Sequence, residues 1–129
     1  MIKYINDASA PLPRGHYSQA VKANGFVFVS GQLPLEAGPG LKIPDGLDAQ
    51  VIQVFDNIRA VLQASGSSLQ DLVSVQVFIA DMANWPRVNE LYARILGQGL
   101  APARTVVSCP QIHYGAEIEI SAVAVAGGS

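Results

Sequence analysis

The run Glu117–Val125, EIEISAVAV, restricts the fold more than any other stretch of the chain. Its alternation is that of a strand, with Glu117, Glu119 and Ser121 on one face and Ile118, Ile120, Ala122 and Ala124 on the other. Past Ser121 the first face turns apolar as well, through Val123 and Val125, and a strand apolar on both faces is covered on both. The chain must therefore build a sheet around this strand. Glu119 sits where a half-exposed strand becomes a covered one, and a carboxylate there is costly unless a cation or a hydrogen-bond donor meets it. A second strand, Ala103–Cys109, begins with Arg104, a candidate partner. Two readings stand side by side. In one, the pair is a structural ion pair or two edge charges. In the other, Arg104 clamps a substrate carboxylate through its planar fork and Glu119 handles a proton or a water.

The rest of the chain supplies the partners for this sheet. Lys3–Ile5 reads as an edge strand, and Pro11 and Pro13 keep Asp7–Arg14 in a loop. Tyr17–Lys22 and Phe26–Ser30 read as a hairpin about Asn24-Gly25, a pair suited to tight turns. Gly31, next to Ser30, either lets something approach the backbone closely or merely ends or bulges the strand. After the polar loop Glu36–Gly46, a helix from about Asp48, with Asp45 or Asp48 as cap, presents Val51, Val54, Phe55, Ile58, Val61 and Leu62 as an apolar stripe. Ser65-Gly66 ends it. Leu72–Ala80 alternates again, with Val73, Val75, Val77 and Ile79 opposite Ser74, Gln76 and Phe78. A second helix is expected from an Asn84 cap, with Pro86 in its first turn and Gly97 at its end. The link Pro110–Ala116 leaves the pairing of the last two strands open. This order predicts a two-layer α/β sandwich, a mixed sheet with both helices on one face, in a single domain spanning residues 1–129. The sheet's other face then needs a cover, and self-association would provide one.

Composition narrows the function. The chain is 50% hydrophobic and 14% charged, with a mean hydropathy of +0.28, which also favours assembly. Its net charge is -2 and it has no basic run, so nucleic acid is not an expected partner. No apolar run is long enough for a membrane helix, and the N-terminus carries no apolar signal core. With the lone Cys109 unable to form an internal disulfide, the expectation is a cytoplasmic protein. His16, His113 and Cys109 have no metal-ligand spacing, so no metal is expected. Phosphate-binding glycine motifs and a nucleophile elbow are absent from the sequence. Cys109 reads as packing or as a reactive thiol, and His16, at a loop-to-strand junction, as solvent-facing or as lining a pocket.

GHYSQAV, VSGQLP, VNELYARIL, PARTVV and EIEISAVAV, in that order and across nearly the whole chain, resemble the RidA (YjgF/YER057c/UK114) family of enamine/imine deaminases. The resemblance implies a chorismate-mutase-like fold and a homotrimer with pockets at the subunit interfaces. It implies hydrolysis of imines such as 2-aminoacrylate to 2-oxo acids and ammonia, with no cofactor. Matched position by position, Arg104 is the arginine that binds the substrate carboxylate, and Glu119 the carboxylate that activates water. Tyr17 lines the pocket, Ser30 and Gly31 form its backbone turn, and Asn89 supports it. The sequence departs from the family pattern at His16 and His113, where prolines are common. Val106 stands in place of a cysteine near the pocket, and Ser121 replaces a glutamate. These changes bear on which substrate side chain is accepted. The competing expectation is a trimeric module that binds small 2-oxo or short-chain carboxylic acids without turnover. Glu119 argues against it, because a carboxylate repels a bound anion.

Overall fold

The strand that is apolar on both faces, β6 (Ile118–Val125), lies inside a six-stranded sheet. The structure is a computed structural model that describes residues 1–126. β6 is flanked by β3 (Phe26–Gln32) and β4 (Leu72–Ile79), both antiparallel to it. β2 (Ala20–Ala23) and β1 (Lys3–Ile5) extend the sheet beyond β3, and β5 (Ala103–Ser108) extends it beyond β4. The order is β1-β2-β3-β6-β4-β5, and β5 runs parallel to β4. The last two strands therefore do not form a hairpin, because β4 is inserted between them.

Two helices, α1 (Leu47–Ala64) and α2 (Trp85–Leu96), cover one face. The predicted stripe of α1 is buried against Val27, Val29, Val75, Val77, Ile118 and Ile120 of the sheet. Phe55 of α1 meets Tyr92 of α2 edge to face, with ring centroids 5.7 Å apart. Outside this contact, Arg87 of α2 donates to both carboxylate oxygens of Asp48 at 3.0 and 2.6 Å. This fork links the helices where Asp48 was expected to cap α1. Gly46 occupies the cap position instead, without a side-chain bond. Asn84 precedes α2 as expected but does not cap it, since its amide reaches Glu117 at 3.3 Å.

Two strand expectations are corrected. Val73 does not share the buried face of Val75 and Val77, because the pairing with β6 slips between Leu72 and Ser74 and turns it outward. The hairpin's first strand begins at Ala20, not Tyr17. The preceding residues are held by side chains: the Gln19 amide donates to the carbonyls of Asp7, Ala10 and Pro11 and accepts from the Asp7 N–H. That network ties Tyr17–Gln19 to the proline loop and leaves Tyr17 projecting from a strand end. Asn24 and Gly25 make the turn with φ of 54° and 82°, the left-handed values their pair favours.

The opposite face of the sheet carries Phe26, Phe28, Val107 and Val125 at 39, 47, 40 and 37% exposure. No element of the described chain covers them. Burying such a side chain from full exposure is worth about 1.5–3 kcal/mol, and these retain somewhat under half of their surface in solvent, so a cover over this face would be favourable. Among the described residues, no helix is long and apolar enough to cross a membrane.

Candidate functional site

Strand register decides where the two charged residues point. Residues paired across neighbouring strands share a face, and residues an odd number apart along a strand point opposite ways. Arg104 pairs with Val75, which is buried on the helix-covered face. Glu119 pairs with Phe78, three residues further along β4 and thus on the helix-free face. Arg104 and Glu119 of one chain therefore stand on opposite sides of the sheet. The expectation that Arg104 partners Glu119 within the chain is corrected. Each residue lies in its own cavity, and the two cavities share no lining residue.

The Glu119 cavity, about 470 Å³, opens between the proline loop, the end of β3 and the turn His113–Gly115. Tyr17, Ser30, Gly31, Tyr114 and Glu119 are among its walls. The Ser30 hydroxyl donates to the Ser18 carbonyl at 2.6 Å, and the Ser30 N–H to the Gln19 carbonyl at 2.9 Å. Ser30 thus fixes the segment that carries Tyr17. Gly31 is both a bulge and a close approach. The β3–β6 pairing shifts between Val29 and Gln32, and a Cβ at residue 31 would overlap the Glu119 carboxylate. Only glycine leaves that carboxylate its place. The Glu119 carboxylate makes no hydrogen bond or ion pair with the described residues. Burial pushes its carboxyl above the usual carboxylate range, and the charge of His113 pulls it partly back. Tyr114 holds a left-handed φ of 62°, a conformation uncommon for an aromatic residue, and so keeps the turn tight at the cavity wall.

The other cavity, about 440 Å³, lies at the β5 edge of the sheet and includes Asn89, Tyr92 and Arg104. The Arg104 guanidinium lies 4.7 Å from the Trp85 ring centroid and 4.9 Å from that of Tyr92. Its Nη1 donates to Asn89 Oδ1 at 2.9 Å. The rings and the amide hold the cation without neutralising it, and no carboxylate among the described residues pairs with it. Tyr92 Oη is buried without a hydrogen-bond partner, and burial raises its phenol above the ordinary value.

The structure thus groups Tyr17, Ser30, Gly31 and Glu119 in one place and Arg104 with Asn89 in another. Sequence reasoning did not single out Trp85 or Tyr92 as supports for Arg104, and an aromatic pair on a helix gives no sequence signal of its own. Nor did it single out Tyr114 or Arg14 on the Glu119 cavity. His16 is exposed and does not line this cavity, whereas His113 does. Cys109 lies just past β5, half-buried and outside both cavities, so neither core packing nor a place in the site describes it. Among the described residues, no three His, Cys, Asp or Glu converge as metal ligands would.

The family model described as Endoribonuclease L-PSP matches residues 7–126. A RutC family protein of Pyrococcus horikoshii is 39% identical over 124 residues, covering 96% of this chain and 98% of its own. The mouse 2-iminobutanoate/2-iminopropanoate deaminase is 34% identical over 125 residues, covering 97% and 92%. Among solved structures, E. coli TdcF with bound serine superimposes with a TM-score of 0.89 at 31% identity, over 95% of this chain and 98% of that one.

Proposed function

We propose that this chain, which belongs to the RidA family, is a hydrolytic deaminase that converts small 2-imino acids to 2-oxo acids and ammonia. The observation that carries this reading is the pair of incomplete half-sites. A half-buried carboxylate without a partner lies on one face of the sheet, and a stacked, unneutralised arginine lies at the sheet's far edge on the other face. A ring of copies joins them: the β5 edge of one subunit delivers Arg104 to the Glu119 cavity of the next. The uncovered apolar face supports the same assembly, and the family's homotrimer is the arrangement we propose. The whole of residues 1–129 acts as one domain in it, and the lone Cys109 suits a cytoplasmic setting.

The chemistry follows from those positions. Arg104, oriented by Asn89 and the two rings, holds the substrate carboxylate through its fork. This places the adjacent C=N carbon in the Glu119 cavity, against Tyr17 and the Ser30-Gly31 turn. Glu119 takes a proton from water as the water oxygen bonds to that carbon. The tetrahedral intermediate receives that proton on nitrogen, Glu119 then moves the hydroxyl proton to the nitrogen as well, the C–N bond breaks, and ammonia leaves as the oxygen becomes the carbonyl. Burial raises the Glu119 carboxyl, which makes its carboxylate a better acceptor for this proton. Substrate and water supply every atom, so no cofactor enters the scheme. The mouse relative's name, which specifies 2-iminobutanoate and 2-iminopropanoate, supports the substrate class. A net charge of -2 weighs against RNA as the substrate, despite the wording of the family model.

The test is a coupled assay. A serine or threonine dehydratase generates 2-aminoacrylate or its homologue, and imine loss is followed with and without this protein. Loss faster than spontaneous hydrolysis is expected. A second reading, ligand binding without turnover, has one observation in its favour, the serine held by E. coli TdcF. It predicts thermal stabilisation by small acids with no acceleration.

Gly31→Ala provides a finer check. The added methyl takes the space of the Glu119 carboxylate, and displacing a catalytic group by about 1 Å costs on the order of 10²-fold in rate. The variant should remain folded, with a melting temperature within about 4–8 °C of wild type. A variant that retains full kcat would show that Glu119 is not held by this contact.

A further inference from the structure

The chain has five arginines, and Arg59, Arg87 and Arg94 form ion pairs with carboxylates. Arg14 and Arg104 pair with none among the described residues, and each lines a cavity. Arg104 is accounted for by the proposed substrate carboxylate. Arg14 is not. It stands between two cavities, on the wall of the Glu119 cavity and on that of a neighbouring one lined by Glu36, Gly38 and Pro39, and its Nη2 donates to the Gly40 carbonyl at 2.8 Å. That bond ties the guanidinium to the loop between β3 and α1 and uses one of its five N–H donors, so the rest of the fork remains available. The cavity, at about 470 Å³, falls in the range that takes drug-sized ligands, well beyond what a three-carbon imino acid fills. Around the surplus space stand Arg14, His113, Tyr17 and Tyr114. Among the described residues, Glu119 is the sole carboxylate on this wall.

We infer that the site accepts 2-imino acids whose side chain ends in a second carboxylate, with Arg14 as the counterion of that distal group. The inference rests on the deaminase reading and adds a substrate class to it. In this arrangement the neighbour's Arg104 holds the carboxylate next to the C=N bond, Glu119 lies at the reacting carbon, and Arg14 receives the far end. The hydrolysis is unchanged: water adds, ammonia leaves, and a 2-oxo dicarboxylate is released. The position of Arg14 on a loop fits such a role, since a specificity group need only meet the substrate's end and not the reacting atoms.

The test compares two imines made in situ by amino acid oxidases, 2-iminopropanoate from alanine and 2-iminoglutarate from glutamate. The wild type should accelerate the loss of both. Arg14→Ala should lower kcat/KM for 2-iminoglutarate at least about tenfold more than for 2-iminopropanoate, the loss expected for one charge-assisted contact. Arg14→Lys, which keeps the charge without the fork, should recover part of the difference. In parallel, 2-oxoglutarate should stabilise the wild type against heat more than pyruvate does, and Arg14→Ala should lose that excess. Equal losses on both imines would assign Arg14 to loop packing or general steering and overturn the inference. So would turnover of 2-iminopropanoate without 2-iminoglutarate, which leaves the deaminase reading standing. Acceleration of neither imine would remove the deaminase reading and this inference together.

Discussion

Arg104→Ala is expected to lower kcat/KM for 2-iminopropanoate by about 10²–10³-fold, the range for truncating one member of a desolvated, hydrogen-bonded charge pair. The loss should appear largely in KM, because the guanidinium holds the carboxylate both before and during the reaction. Folding should be little affected: Arg104 is exposed in the single chain and makes one side-chain hydrogen bond, to Asn89. Losing the contact with the Trp85 and Tyr92 rings costs about 0.5–1 kcal/mol at an exposed site, too little to unfold the chain. Arg104→Lys should restore only part of the activity, since an ammonium cannot grip both carboxylate oxygens or lie flat against Trp85 and Tyr92. Steady-state kinetics in the coupled assay, with circular dichroism as the folding control, provide the check. A lysine variant as active as wild type would reduce the role of the fork to simple charge attraction.

Glu119→Gln should lower kcat by about 10²–10⁴-fold, the contribution of a positioned general acid–base. The amide is nearly isosteric with the carboxylate, so it keeps the contact with Gly31 and removes only the proton transfer. The pH profile gives a second readout. Burial raises the Glu119 carboxyl, so its base form is lost as pH falls through a value above the usual carboxylate range. Burial alone would set the acid limb of kcat/KM at higher pH than an ordinary glutamate gives, and the neighbour's Arg104, once delivered to the cavity, acts in the opposite direction. Because the positive charge of His113 opposes this rise, His113→Gln should move the limb to higher pH. A limb that moves down would mean that the imidazole acts on Glu119 by some other route. Residual activity in Glu119→Gln with the wild-type pH profile would place the base elsewhere.

Much of the fold was legible because its signals are local. Alternation in EIEISAVAV placed β6 inside the sheet, spacing in α1 gave its buried stripe, and Asn24-Gly25 gave the turn. What escaped depended on contacts distant in sequence. Tyr17 looked like a strand residue until the Gln19 amide was seen pinning three carbonyls of the proline loop. Val73 matched the buried face by count, but a slip in register against β6 turned it outward. Asp48 looked like a helix cap and serves instead as the partner of Arg87.

The site residues fared similarly. Arg104 and Glu119 could be matched to a family motif, but their relative orientation could not be read from it. It depends on β4 entering between β5 and β6, and on Val75 and Phe78 facing opposite ways along it. Gly31 presented two readings in sequence, and in the structure both hold, a bulge and a close approach to Glu119. The opposite-face placement keeps the two residues apart within one chain, and this is why the proposed site draws on a second copy.

That requirement is best tested by mixing two inactive variants. Arg104→Ala and Glu119→Gln subunits are unfolded together in equal amounts, refolded, and assayed beside each variant refolded alone. If every site takes Glu119 from one subunit and Arg104 from its neighbour, random assembly leaves about a quarter of the sites with both native residues. The mixture should recover about a quarter of the wild-type activity, while each variant alone stays inactive. A mixture that forms mixed oligomers yet remains as inactive as its components would contradict a site shared between subunits.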